Sequence, residues 1–135
     1  MSFKDNPIDL LKNEIIRNEI DVVMTGGVST QFKSIKEIID ISKEVNPDII
    51  AVVGGVIVSA DPITAMEAFE NADYGVIGEA EITVNSLSYA LETRGDAAGE
   101  DGTICWRNGE WLINEKFTYV PDINILPFPD YEGFE

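Results

Sequence analysis

The sequence predicts an α/β protein: a three-layer fold around a parallel sheet, followed by a C-terminal β-hairpin and an extended tail. Three observations carry that prediction. Apolar runs without polar alternation, "DVVM", "DIIAVV" and "DYGVI", are separated by segments of helical periodicity, the pattern of βαβ units with right-handed crossovers and a sheet covered on both faces. Each run closes on glycine, at Gly26 and Gly27, at Gly54 and Gly55, and at Gly78. Beyond residue 98 the pattern stops, and "TICWRNGEWLI" sets two short β-rich runs either side of Asn108-Gly109, a pair suited to a type I′ turn.

The elements follow in order. Asn6 is a candidate N-cap with Pro7 at the first helical position, and Ile8, Leu11 and Ile15 recur at helical spacing, which predicts a first helix from Pro7 to about Asn18. A first strand runs from Ile20 to Met24. Ser34 and Glu37 stand in capping-box spacing on a stripe of Ile35, Ile38, Ile39 and Val45, so a second helix is expected to end at Asn46, before Pro47. The second strand then runs into Gly54. Asp61 and Pro62 open a third helix with Ala65, Met66 and Phe69 on one face. Tyr74 to Ile77 is a third strand, and a fourth helix turns Val84, Leu87 and Leu91 inward and stops at Gly95. The final stretch, "VPDINILPFPDYEGFE", has three prolines and no period, which makes it an extended tail. Residues 1–98 are expected to form the α/β unit, residues 99–120 a hairpin extension, and residues 121–135 a linker toward a downstream domain.

Composition removes several classes of function. A net charge of -16, from 25 acidic and 9 basic residues, gives no clustered cations for nucleic acid or anionic lipid. There is no histidine and one cysteine, Cys105, so catalytic dyads built on histidine, an internal disulfide and the common zinc and haem ligand sets are excluded. The start has no basic segment followed by an apolar run, and no apolar stretch approaches the roughly 20 residues of a membrane span. A cytoplasmic protein is expected.

In an open parallel sheet, ligands bind at the carboxyl edge, and glycine there lets a flat or phosphate-bearing ligand approach the backbone. The alternative reading is that turns after strands need a positive φ whether or not a ligand exists. Neither G-x-G-x-x-G nor G-x-x-x-x-G-K-[ST] is present, so dinucleotide and P-loop fingerprints are absent.

The ordered blocks "DVVMTGGVSTQF", "NPDIIAVVGG", "DYGVIGEAE" and "LPFPDY" resemble the Rossmann-like, flavodoxin-like cobalamin-binding domain of cobalamin-dependent radical SAM enzymes. The likeness runs from about Ile20 to Tyr131. It implies that Gly54, Gly55 and Val56 lie beside the cobalamin nucleotide tail, and that Gly26, Gly27, Ser29 and Thr30 supply a loop whose hydroxyls bond corrin amides or that tail. The family's G-E-G-E falls on Gly78, Glu79, Ala80 and Glu81, with alanine in place of the second glycine. Related domains begin with a further strand and helix, and one subset carries D-x-H-x-x-G for the lower axial ligand. This chain begins within a later helix, so cobalamin is expected without histidine ligation. The cluster-binding C-x-x-x-C-x-x-C is also absent, so S-adenosylmethionine and a 4Fe-4S cluster are expected only in a downstream radical SAM barrel, the chain being a domain fragment of a longer Fe-S oxidoreductase or methyltransferase. In that parent the cofactor serves as methyl donor or electron carrier.

Other residues are read more plainly. Glu79 and Glu81 complement the dipole of the helix they open. Cys105, with no His or Lys adjacent to lower its pKa, is read as structural rather than as a reactive thiol. Trp106 and Trp111 pair across the hairpin or cover a neighbouring domain, and Phe128, Tyr131 and Phe134 are candidates for docking on a downstream part. No residue reads as catalytic. Competing readings are a degenerate domain that survives as a packing module, and an independent flavodoxin-like binder of a small anion. A missing first strand leaves a bare sheet edge, which predicts self-association.

Overall fold

A computed structural model describes residues 6–132; Phe134 lies outside them. The elements are α1 (Pro7–Arg17), β1 (Val22–Gly26), a 3₁₀ turn (Ser29–Gln31), α2 (Phe32–Val45), β2 (Ile50–Gly54), α3 (Val56–Ala60), α4 (Pro62–Ala68), β3 (Tyr74–Val76), α5 (Ala80–Arg94), β4 (Thr103–Arg107), β5 (Glu110–Ile113) and a 3₁₀ turn (Ile123–Ile125). The five strands form one sheet in sequence order. β1, β2 and β3 are parallel, whereas β4 and β5 run antiparallel, so the hairpin continues the sheet through Gly75↔Ile104 pairing. Asn108 and Gly109 both have positive φ, as a type I′ turn requires.

Two apolar layers make the core. On one face Ile35 and Ile39 of α2, Val58 of α3 and Ala65, Met66 and Phe69 around α4 close over Ala51, Val53 and Ile104. On the other, Leu87 and Ala90 of α5 close over Val52, Tyr74, Val76 and Cys105. The expected three layers are therefore present. α1 packs on α2 and buries Ile15.

Local differences from the expected elements have physical causes. β1 begins at Val22, because Glu19 takes a positive φ and Ile20 still bonds back to Ile15. Ser34 and Glu37 do not cap α2: the helix starts at Phe32, and Gln31 closes the preceding turn by accepting from the Val28 N–H at 3.1 Å. In α5 the fully buried polar residue is Thr83, beside a half-buried Val84. The short α3 was hidden by its β-branched composition, since Val-Ile-Val reads as a strand continuing β2.

The amino end of the sheet is locked by side chains. Asp73 accepts the Ala51 N–H at 2.8 Å and pairs with Lys43 at 2.7 Å. The Tyr74 hydroxyl donates to Asp96 at 2.7 Å and accepts from Arg107, which also reaches Asp96 at 2.9 Å. Bonding to Tyr74 and Arg107 holds the Asp96 carboxyl down at about 2, while burial pushes the Tyr74 hydroxyl up. Because the Asp96 value is depressed on folding, its contribution is full above the ordinary value of 3.8 and is lost as pH falls toward about 2. Asp96→Asn is therefore expected to lower the denaturation midpoint near pH 7, with the gap to the unsubstituted chain closing as urea titrations are repeated below pH 4. An unchanged gap would show that the carboxylate charge is not what stabilises this corner.

Candidate functional site

The carboxyl ends of β1, β2 and β3 bring the glycines together, and the geometry shows what most of them do. Gly26 is in register with Gly54, and a Cβ on Gly26 would stand 2.5 Å from the Gly54 carbonyl oxygen. Gly55, at φ 87°, lies so close to Gly27 that a Cβ would meet its backbone N and O at 2.7 Å. Those side chains are missing so that two strand ends can touch. The contact is hydrogen-bonded as well, with Gly27 N–H donating to Gly54 at 3.3 Å and Ile57 N–H donating to Gly27 at 3.2 Å.

Gly54 is different. A Cβ there would make only ordinary contact with Val76, at 3.5 Å, so packing alone does not demand glycine at this position. The segments that follow β1 and β2 carry exposed Val28 and Val56, 45% and 62% accessible, and the exposed Ser29 and Thr30 of the 3₁₀ turn. Gly78, at φ 74°, has its open side filled by the stem of Lys116, whose Cδ lies 3.1 Å from the ideal Cβ position. Glu79 and Glu81 are exposed at the first turn of α5, where carboxylates complement the helix dipole.

Sequence reading missed Ser59. Its hydroxyl donates to the Gly55 carbonyl at 3.0 Å and accepts the Gly78 N–H at 2.8 Å, tying the ends of β2 and β3. The signal was a serine one turn after the glycine pair, obscured because α3 itself was not foreseen. Lys116 was missed as well, since it lies 37 residues downstream of Glu79 in an irregular segment.

The edge is an open platform. A cavity of about 500 Å³ between α1 and α2, lined by Ile8, Lys12, Phe32, Lys36 and Asp40 among others, lies elsewhere. Among the described residues no three His, Cys, Asp or Glu side chains gather to hold a metal, and no helix is long and apolar enough to cross a membrane. Cys105 is fully buried, and burial pushes its thiol up. Trp106 and Trp111 pair edge to face across the hairpin at 4.9 Å, as expected.

The sequence profile of the B12 binding domain matches residues 4–88, which include the entire glycine edge. The chain belongs to the B12 binding domain family. Among curated proteins no sequence relative matches. Among solved structures, this B12 binding domain is similar to part of TsrM from Kitasatospora setae, a radical S-adenosylmethionine methyltransferase solved with cobalamin and a [4Fe-4S] cluster bound, at TM-score 0.72 and 22% identity over 87% of this chain. It is also similar to part of OxsB, a cobalamin-dependent S-adenosylmethionine radical enzyme solved with aqua-cobalamin and S-adenosylmethionine, at TM-score 0.68 and 24% identity over 83% of this chain. The chain spans only 22% of the TsrM chain and 16% of the OxsB chain.

The residues present in the B12 binding domain are compatible with such a ligand in their chemistry: a glycine, Gly54, that packing does not demand, exposed apolar Val28 and Val56, and the exposed hydroxyls of Ser29 and Thr30. With no histidine, it offers no imidazole to cobalt.

Substitution separates the two kinds of glycine. Gly55→Ala, strained in φ and in contact with Gly27, is expected to cost about 2 kcal/mol or more in urea unfolding. Gly54→Ala is expected to stay within about 1 kcal/mol of the unsubstituted chain. Equal losses at both would show that Gly54 is also required for packing.

Proposed function

We propose that this chain is a cobalamin-binding accessory domain, non-catalytic alone, that holds the cofactor on the platform formed by Gly26, Gly27, Ser29, Thr30, Gly54, Gly55, Val56, Gly78, Glu79 and Glu81. The observation that carries the reading is Gly54: a glycine at the carboxyl edge of a B12 binding domain where packing does not demand one. Gly54 and Val56 would flank the nucleotide tail, and Ser29 and Thr30 would bond amides. Gly26, Gly27 and Gly55 set the platform's shape, and Gly78 its β3 side. With no histidine, this chain would contribute no imidazole to the cobalt.

A platform of this kind covers one side of a bound ligand. The other side then belongs to a second body, which we propose is a downstream radical SAM barrel of the same polypeptide. S-adenosylmethionine and a 4Fe-4S cluster would reside in that barrel, since one buried cysteine provides at most one thiolate. When bound, cobalamin would supply methyl-donor or electron-carrier chemistry there, in the cytoplasm.

The test is co-elution. After mixing with hydroxocobalamin and desalting, the protein peak is expected to carry the corrin absorbance, and Gly54→Ala to lose most of it while remaining folded. A colourless peak from the chain, and from the chain extended at both ends, would favour a degenerate packing module instead.

β1 also ends the sheet with no Lys, Pro or bulge among Val22–Gly26 to guard it, so pairing with a second copy through this edge is expected. Sedimentation should show a concentration-dependent dimer; a clean monomer at high concentration would contradict it.

A further inference from the structure

The segment after β5 has little secondary structure, yet a defined path. Asn114 donates to the Ala98 carbonyl at 2.6 Å and to the Thr103 hydroxyl at 3.0 Å. Asp101 accepts the backbone N–H groups of Phe117 and Thr118 at 2.7 and 2.9 Å. Between these two anchors Lys116 is pinned. Its stem packs over Gly78 and Gly102, both at positive φ, and its ammonium donates to the buried Thr83 hydroxyl at 2.6 Å. The Tyr119 ring lies 5.7 Å from the same nitrogen.

Among the described residues this charge is held in place without a close carboxylate of its own. The chain has 25 acidic residues, yet among the described residues Lys116 enters no ion pair. Asp101, the carboxylate whose field it shares, is already taken up by two backbone N–H groups. The ammonium also sits on Thr83, one turn into α5, where the helix dipole opposes a cation. A single hydroxyl satisfies one of its three donors. The position is continuous with the glycine edge: Gly27 bonds to Gly54, Ser59 joins Gly55 to Gly78, and Gly78 packs against Lys116.

We propose that Lys116 is a ligand-binding residue of this platform, its ammonium pairing with the phosphodiester of the cobalamin nucleotide loop, and that Asp101 is a positioning residue that fixes the strap carrying it. This rests on the cobalamin reading above and extends it to a residue outside the matched segment 4–88. A charge-assisted contact on a partly buried cation is of a size that changes affinity about tenfold or more.

The experiment compares two probes by titration followed in the corrin absorbance: hydroxocobalamin, and dicyanocobinamide, which lacks the nucleotide loop and its phosphate. Lys116→Met, which keeps the stem over Gly78, is expected to weaken hydroxocobalamin at least about tenfold and to leave dicyanocobinamide unchanged, with Lys116→Arg restoring affinity. Equal weakening of both probes, or of neither, overturns the assignment. Hydrogen exchange at the Phe117 and Thr118 amides, unchanged in Lys116→Met and accelerated in Asp101→Ala, separates loss of the charge from loss of the strap. No binding of either probe by the unsubstituted chain, and by the chain extended at both ends, would overturn the cobalamin reading itself, and is distinguishable from binding that Lys116→Met leaves intact.

Discussion

The close backbone approach of Gly26 and Gly27 to Gly54 and Gly55 is the constraint on which the rest of the molecule depends. With 2.5 to 2.7 Å between a hypothetical Cβ and the facing backbone, no other residue permits the two strands to end in contact. Because they do, the chain leaving β2 turns at once into α3, placing Ser59 under Gly78. The ends of three strands are thereby held by backbone groups and one small hydroxyl, which leaves a flat surface with few projecting side chains.

The two ends of the sheet follow opposite designs. At the amino end, charged and aromatic side chains interlock: Lys43 with Asp73, and Tyr74 with Asp96 and Arg107. At the carboxyl end β1 and β2 themselves finish in glycine, and larger polar side chains, Glu79, Glu81 and Lys116, stand beyond β3. A ligand needs the second kind of surface, and a surface of that kind has little packing of its own. The interlocked end and the two apolar layers supply the rigidity that the platform lacks.

Much of the fold was legible because periodicity and turn chemistry are local. The α/β alternation, the Pro7 and Asp61–Pro62 helix starts, the Gly95 stop and the Asn108-Gly109 hairpin all follow from short-range rules. What was not legible depended on distance. That β4 pairs with β3, that Gln31 rather than Ser34 closes the entry to α2, and that Lys116 returns to Gly78 are tertiary facts. The glycine edge was visible as a pattern, but sequence could not separate Gly54, where a Cβ would fit, from Gly26 and Gly55, which permit contact.

The most direct measurement is hydrogen–deuterium exchange of the chain with and without hydroxocobalamin. Binding at the glycine edge predicts slowed exchange in residues 26–30, 54–59 and 78–81, with little change along α2 between residues 33 and 44, which lines the cavity beside α1. Slowing confined to α1 and α2, or no change anywhere under conditions where cobalamin is retained, would contradict the account.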